Sequence, residues 1–275
     1  MSGSISLTGA RFDDLSLLQY RKNLDKDSDV VELFSPSNSS DSYFAEVGWW
    51  SSDKGITYPN ASTVWISDKD TLSEGGTVNL HWTNPENIKF KISISLNEDY
   101  LFTIKQSTEN NSAKTISMQY YTLINRLYEQ GSERMVNILH QGMIGSISSE
   151  LKEYSYESIK KDKKNNFAKS NVDWIGITDK YWLSAFIPDK KEQYTSNYNY
   201  AIKSGKDRYQ ADVISSMQLL ESGGVFELTH HLFAGPKKVN LLDKYESKYD
   251  IKLFDRAIDF GWFYVITKPL AYLLN

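Results

Sequence analysis

The sequence IKFKISISL, at residues 88–96, alternates an apolar residue with a polar one along its whole length. A period of two places the apolar side chains on one face of a β-strand and the polar ones on the other. A turn cluster at 97–99 follows, and YLFTI comes next at 100–104, so the two runs predict a β-hairpin. TVNLHWT, at 77–83, shows the same alternation. This part of the chain therefore predicts an antiparallel sheet with one buried face.

The same rhythm extends outward in both directions. Further strands are predicted at 30–34, 43–50, 64–67, 115–123, 136–147, 172–177, 181–187, 210–217 and 225–233. Residues 13–20 fit either a strand or a short turn of helix. Glycines at 48, 142, 145 and 176 fall inside predicted strands and indicate bulges or bends. Many strands joined by short turns, without helical periods between them, indicate an all-β sandwich.

Helical periodicity begins only after Gly235 and Pro236. Between Lys237 and Tyr249 the apolar positions follow helical spacing, and a proline is tolerated where a helix begins. The sequence thus predicts a β-sandwich over residues 1–236 and a C-terminal helical segment over 237–275. The polar run from Glu109 to Lys114 is predicted to be a loop that tolerates deletion.

Composition excludes several classes of protein. The 275 residues include 18 Tyr, 12 Phe and 7 Trp, a content that favours sheets. The net charge of −4 argues against a nucleic-acid partner, and the absence of cysteine excludes disulfides and thiolate sites. No signal peptide and no complete membrane span is predicted. We therefore expect a soluble piece, which could come from a longer protein.

Four histidines offer the main catalytic possibility: His81, His140, His230 and His231. Adjacent residues on a strand point to opposite faces, so His230 and His231 are not expected to share a metal. His230 falls on the apolar face and is predicted to lie in the core or an interface. His231 falls on the expected solvent face with Glu227, a pairing that could serve as acid and base but also arises by chance. Without a phosphate loop, nucleophile elbow or zinc motif, we predict no catalytic residue, metal or cofactor.

The most apolar stretch lies at the C-terminal end, over residues 260–274. It is shorter than the ~20 residues that a spanning helix needs, and it begins with aromatic residues, as interfacial helices do. An ordinary buried helix is the alternative. The residues predicted to lie at the membrane interface are Phe260, Gly261, Trp262, Phe263, Val265, Ile266, Lys268 and Pro269.

A groove for extended apolar chains is a further possibility. Its walls are predicted to include Trp174, Tyr181 and Trp182, although the same residues could equally belong to the core.

Seven blocks, in order along the chain, carry a resemblance to a known family. They read SISLTGARFDDL (4–15), YPNASTVW (58–65), NEDYLFT (97–103), LHQGMIG (139–145), DWIGITDKYWLSAFIP (173–188), FAGPK (233–237) and DFGWFYVITKPLAYLL (259–274). Each is weak alone, but the ordered set resembles the large periplasmic domain of the bacterial YidC insertases, the Gram-negative type of the YidC/Oxa/Alb family. The resemblance implies a β-supersandwich of the galactose-mutarotase-like kind. It also implies that one membrane span would precede the chain and five would follow it.

The same resemblance implies a function. The chain would be the periplasmic part of an inner-membrane insertase and chaperone, without enzymatic activity or cofactor. Its partners would be nascent inner-membrane proteins, the Sec translocon with its SecD/SecF accessory subunits, and the membrane surface through the tail. Two alternatives stay open. One is a carbohydrate-binding or mutarotase-like protein, which would have to use His140, His231 or Glu227, and the other is a scaffold that only spaces the insertase from the cell wall.

Overall fold

Two nine-stranded sheets packed face to face make up most of the computed structural model, which describes residues 1–25, 27–97, 99–128 and 139–259. The strands are β1 (Ser2–Ser6), β2 (Arg11–Arg21), β3 (Val30–Phe34), β4 (Tyr43–Trp50), β5 (Ile66–Ser67), β6 (Thr77–Thr83), β7 (Ile88–Leu96), β8 (Leu101–Asn110), β9 (Ile116–Leu127), β10 (Gly142–Ile147), β11 (Glu150–Ser155), β12 (Lys164–Ser170), β13 (Val172–Thr178), β14 (Trp182–Ile187), β15 (Tyr194–Lys203), β16 (Lys206–Ser215), β17 (Gln218–Leu220) and β18 (Val225–Pro236). The helices are α1 (Tyr156–Asp162), α2 (Val239–Tyr249) and a 3-10 turn (Asp255–Ala257).

The first sheet has the strand order β1-β2-β4-β9-β16-β15-β12, with β3 also paired to β2 and β17 to β9. The second has the order β11-β10-β13-β14-β18-β8-β7-β6-β5. Neighbouring strands within both sheets run antiparallel. The prediction of an all-β sandwich with a short C-terminal helix is confirmed.

The main core lies between the two sheets and follows from the period of two. On β7 the side chains of Ile88, Phe90, Ile92 and Ile94 are fully buried, while those between them face outward. The β7–β8 hairpin forms as predicted, with Leu96 opposite Phe102. The inward side chains of one sheet pack against those of the facing sheet. The alternation within a strand therefore determines which of its side chains enter the core between the two sheets.

A second, smaller core lies on the outer face of the second sheet. Helix α2 and the turn after it cover that face, burying Leu242, Tyr245 and Phe254 against Phe233 and Trp174. Strands β13, β14 and β18 are therefore covered on both faces, which explains why every residue of β13 is buried. The division of the chain at residue 237 stays a prediction.

Several element predictions differ from the structure. The helical segment was predicted to begin at residue 237, but helix α2 begins at Val239. Pro236 does not start the helix; it is the last residue of β18. Residues 13–20 belong to strand β2, and the sequence-based interpretation missed helix α1 together with strands β11, β12 and β15. Their burial patterns are irregular or largely exposed, so they lack the clean alternation that identified β7.

Two of the four strand glycines are not bulges. Pairing continues without a register shift through Gly48 and Gly176. A Cβ at Gly176 would lie 2.1 Å from the carbonyl oxygen of Ser184, and one at Gly48 would lie 2.5 Å from the ring of Tyr121. These glycines permit close packing instead, whereas the register of β10 against β13 shifts between Ser146 and Ile147, beyond Gly145.

The segment from Glu109 to Lys114 is also not a plain loop. Asn110 ends β8, is fully buried and donates hydrogen bonds from Nδ2 to the carbonyl oxygens of Lys114, Leu220 and Glu221. Deleting the segment would remove Asn110 and leave the carbonyl oxygens of Leu220 and Glu221 without that donor, so we expect the deletion to cost stability. That insertion tolerates the deletion stays a prediction.

Candidate functional site

A cleft of about 1130 Å³ opens where β14 begins, close to β3 and the end of β9. Tyr181 and Trp182, both predicted to line a groove, lie in its wall. Tyr181 is 58% exposed, and Trp182 is partly buried with its ring edge-on to Tyr20 at a centroid distance of 5.1 Å. Two of the three aromatic residues thus lie at an accessible cavity, and a groove for extended chains there stays a prediction.

The third residue, Trp174, does not line this cleft. Its side chain is fully buried in the second core, where Nε1 donates a hydrogen bond to the carbonyl oxygen of Lys252 at 3.0 Å and the ring packs edge-on against Phe254. Trp174 lies on the outer face of the second sheet, whereas Trp182 packs toward the main core. The groove wall of three residues is thus wrong for Trp174.

A buried ion pair lies at the wall of the same cleft. Arg126 Nη1 donates to Asp179 Oδ1 at 2.7 Å and to the Tyr156 hydroxyl at 3.0 Å. The guanidinium also lies over the rings of Tyr43, at 4.6 Å, and Tyr128, at 5.1 Å. Arg126 and Asp179 are only 18% and 19% exposed, so the pair is largely desolvated.

The protonation states of Tyr43, Tyr156 and Arg126 do not change across the physiological range. Burial raises the pKa of the Tyr43 and Tyr156 hydroxyls well above the ordinary value, so both stay neutral. Burial alone would lower the pKa of Arg126, but Tyr156 and Asp179 raise it well above its usual value. A permanent cation, its carboxylate and neutral hydroxyls suit binding by hydrogen bonds and ring contacts better than proton transfer.

This cluster was missed by the sequence-based analysis, although a signal existed. Arg126 continues the inward-facing positions of β9 that include Tyr120, Thr122 and Ile124. A charged residue at an inward-facing position of a strand requires a buried partner. The partner, Asp179, lies 53 residues away, so no local motif connects the two.

The histidines of β18 lie in different environments. His230 is 1% exposed in the main core, as predicted, and its Nδ1 accepts a hydrogen bond from the Asp189 backbone N–H at 3.3 Å. His231 was expected on a solvent face, but helix α2 covers it: its ring lies 4.5 Å from that of Tyr249, and Nδ1 lies 3.1 Å from Thr103 Oγ1. Burial lowers the pKa of each histidine to about 4.

The acid and base pairing on β18, which the sequence left open as a possibility, does not form a site. Glu227 is exposed and makes an ion pair with Lys105 at 2.6 Å. His231 lies four positions further along the same strand, roughly 13 Å away at the ordinary rise of a β-strand. His140 is also engaged, since its backbone N–H donates to Asp259 Oδ2 at 3.2 Å and its Nε2 lies 3.0 Å from the Met143 carbonyl oxygen.

A ladder of amide side chains lies on the first sheet around Asp212. The carboxylate accepts hydrogen bonds from Asn197 at 2.7 Å, from Asn199 at 2.8 Å and from Gln210 at 2.8 Å. Burial nevertheless raises the pKa of Asp212, because desolvation outweighs these three bonds. The sequence analysis missed this ladder, in which all three amide groups donate to the Asp212 carboxylate.

Among the described residues, one group of carboxylates has the spacing of a metal site. Asp243, Glu246 and Asp255 bring oxygens within 4.8 Å of one another. Glu246 Oε2 accepts a hydrogen bond from the backbone N–H of Asp255 at 2.9 Å, so it joins α2 to the 3-10 turn. That structural role accounts for the position of Glu246 without an ion.

All eight residues predicted to lie at the membrane interface, from Phe260 to Pro269, fall outside the described residues. The described chain leads up to them through Asp259, which is tied to His140. None of the helices in the described ranges has the length and apolar composition that crossing a membrane requires.

Comparison with known proteins decides the family. A family model described as the YidC periplasmic domain matches residues 1–273. The chain belongs to the YidC periplasmic domain family. Two curated relatives, each named membrane protein insertase YidC, come from Rickettsia felis and Rickettsia conorii, and they are 55% and 56% identical over all 275 residues. The chain spans about half (49%) of the length of these relatives.

Solved structures resemble this periplasmic domain in fold alone. A galactose mutarotase related enzyme from Lactobacillus acidophilus superposes with a TM-score of 0.57 at 11% identity, covering 84% of this chain and 93% of the other. A galactose mutarotase-like protein from Lactobacillus casei gives 0.55 at 9% identity, covering 85% and 96%. The expected mutarotase-like supersandwich is therefore confirmed.

Proposed function

We propose that the chain is the periplasmic domain of a bacterial inner-membrane insertase, where it assists the insertion and folding of nascent membrane proteins. The observation that carries this proposal is the family match over residues 1–273, together with relatives named membrane protein insertase. The proposed activity is non-enzymatic and needs no cofactor. It operates with the Sec translocon and its SecD/SecF subunits, and also without them.

The docked C-terminal segment supports a mechanical part of this role. Helix α2 and the turn after it are fixed to the second sheet by Tyr245, Phe254 and the hydrogen bond from Trp174 to Lys252. The sandwich therefore sets the position of Asp259, from which the predicted interfacial tail continues. We propose that residues 260–269 lie at the periplasmic membrane surface and that the sandwich orients them there.

The test is a substitution in the full-length insertase. Trp262→Asp with Phe263→Asp should impair insertion of client proteins in cells that depend on this insertase, because burying each large apolar side chain is worth ~1.5–3 kcal/mol. A matched control is Val225→Asp, which changes an apolar side chain that is 60% exposed on the sandwich. Normal growth and insertion with the tail variant would remove the tail from the proposal.

The cleft at Tyr181 and Trp182 is the proposed contact for extended apolar segments of clients. Its accessible aromatic wall and its volume of about 1130 Å³ support this role. Photo-crosslinking probes at Tyr181 should label a stalled membrane-protein client, whereas probes at Trp174, which is buried, and at Leu219, which is exposed elsewhere, should not. Absence of labelling from Tyr181 would leave the two aromatic residues with a packing role only.

A further inference from the structure

Strand β1 forms an open edge of the first sheet. Ser2–Ser6 pairs with β2 on one side, and no described strand pairs with the other side. The strand contains neither a charged residue nor a proline, the usual features that protect an exposed edge from pairing. Its free backbone N–H and C=O groups are therefore available to another extended chain.

An apolar cavity of about 590 Å³ opens beside this edge, between the two sheets. Its volume lies within the range of ~300–1,000 Å³ that is usual for ligand pockets. The side chains that line it come from both sheets and from the connection between β5 and β6, and they include Ile5, Leu15, Leu72, Val78, Ile94 and Phe102. Ile5 and Leu72 are only partly buried, so a molecule bound in the cavity can contact their side chains.

The chain itself already adds an extended segment to the continuation of this edge. Just past β1, Gly9 N–H donates to the Thr63 carbonyl oxygen at 2.8 Å, and Trp65 N–H donates to the Leu7 carbonyl oxygen at 2.8 Å. Thr8 and Val64 form an antiparallel bridge between them. Residues 63–65 then continue into β5, and the edge along Ser2–Ser6 is left open next to the cavity.

We propose that this site binds an extended apolar segment of another polypeptide, which adds as a strand to β1 and places alternate side chains in the cavity. Backbone pairing would supply affinity, and the cavity would select apolar residues at every second position. A single alkyl chain would fill the cavity but would leave the backbone edge unpaired. Asp14, Lys69 and Asp70 at the lining carry both signs of charge, so the favoured segment is uncharged along its inward face.

This inference does not depend on the proposed role in membrane insertion. Its test measures peptide binding by the purified chain and needs no insertion assay. The probe is a labelled peptide of about nine residues that alternates leucine or valine with threonine, long enough to pair along a five-residue strand. Binding is measured by fluorescence anisotropy for the wild-type chain and for Ile5→Asp and Leu72→Asp. Ile202→Asp and Leu219→Asp are matched controls, because these side chains are 69% and 74% exposed elsewhere.

We expect saturable binding that Ile5→Asp and Leu72→Asp each weaken by at least about tenfold, or about 1.4 kcal/mol, and that neither control changes. Hydrogen exchange on the wild-type chain gives a second readout that needs no variant: the peptide should slow exchange of backbone amides within Ser2–Ser6. Equal binding by all variants, or no protection of β1, would overturn the proposal. A peptide with proline at alternate positions cannot pair along β1, so equal binding of that peptide would show simple apolar binding instead of strand addition. The same conclusion would follow if lauric acid displaced the probe completely while hydrogen exchange within Ser2–Ser6 stayed unchanged.

Discussion

At the scale of single residues, His230 shows what burial does to a titratable group. It lies between the sheets, with its Nδ1 bonded to the Asp189 backbone, the Tyr194 ring nearby and His231 next in sequence. Burial is the largest cause that lowers its pKa, from 6.5 to about 4, while the charge of Asp189 opposes the change. The folded state therefore holds this imidazole neutral at pH values where the unfolded chain takes up a proton.

The stability of the protein should decrease as the pH falls from about 6.5 to about 4. The stabilising contribution of neutral His230 is complete above the unfolded pKa and is lost below it, and its upper limit is about 3 kcal/mol. Buried carboxyls such as Glu46, whose pKa is raised, act in the opposite sense. The comparison is therefore between wild type and His230→Gln in urea denaturation at several pH values. If His230→Gln left the change of the free energy of unfolding with pH the same as in wild type, this account would be contradicted.

The ion pair of Arg126 and Asp179 should contribute more to stability than an exposed pair. Removing one partner leaves a largely buried charge, so Arg126→Gln is expected to lower the free energy of unfolding by about 3 kcal/mol. A double-mutant cycle with Asp179→Asn should show a coupling energy above ~1 kcal/mol. The matched cycle at Lys105 and Glu227, both 45% exposed, should show less than ~1 kcal/mol. Equal coupling in the two cycles would argue against the desolvated cluster.

At the scale of elements, the docking of α2 and the following turn depends on Phe254. Its ring is fully buried and packs edge-on against Trp174, at 5.3 Å, and Phe233, at 5.7 Å. Phe254→Ala should cost ~3–5 kcal/mol and shift the tryptophan emission of the chain to longer wavelength as water reaches the indole of Trp174. Val225→Ala, at a position that is 60% exposed, should change neither quantity. An unchanged melting temperature for Phe254→Ala would show that the segment is not held there.

How far the sequence predicted these elements depends on how many faces each one buries. Strand β7, with one buried face, carried a clean alternation and was predicted to the residue. Strands β3 and β4 were also predicted to the residue, although β4 is buried on both faces. Strand β12, with the sequence KNNFAKS, contains no fully buried residue and gave no such signal. The position of His231 was misjudged for a related reason. The helix that covers it lies 8 to 18 residues further along the chain, and the residue pattern of β18 does not indicate that a helix packs on it. The Arg126 cluster needs contacts across 53 residues, which one sequence does not show.

At the scale of the whole molecule, the sandwich shares its fold with mutarotase-like proteins, but its histidine and glutamate side chains do not converge on one site. Glu227 is paired with Lys105, and His231 is covered by Tyr249. The amide ladder around Asp212 offers the polar groups that a sugar would contact, yet three of its amide groups already donate to the Asp212 carboxylate. A fold shared at 11% identity does not transfer an activity.

We therefore expect the domain to leave the rate of sugar mutarotation unchanged. An acid and a base act on one substrate only if both lie within hydrogen-bond reach of it, and His231 and Glu227 are held apart by the rise of a single strand. Polarimetry on freshly dissolved α-D-glucose and α-D-galactose should give the same relaxation rate with and without the chain at micromolar concentration. A denatured sample of the chain controls for buffer catalysis. An acceleration that His231→Ala or His140→Ala abolishes would contradict the prediction and would assign the sandwich to sugar chemistry, whereas an acceleration that both variants retain would direct the search to Asp212.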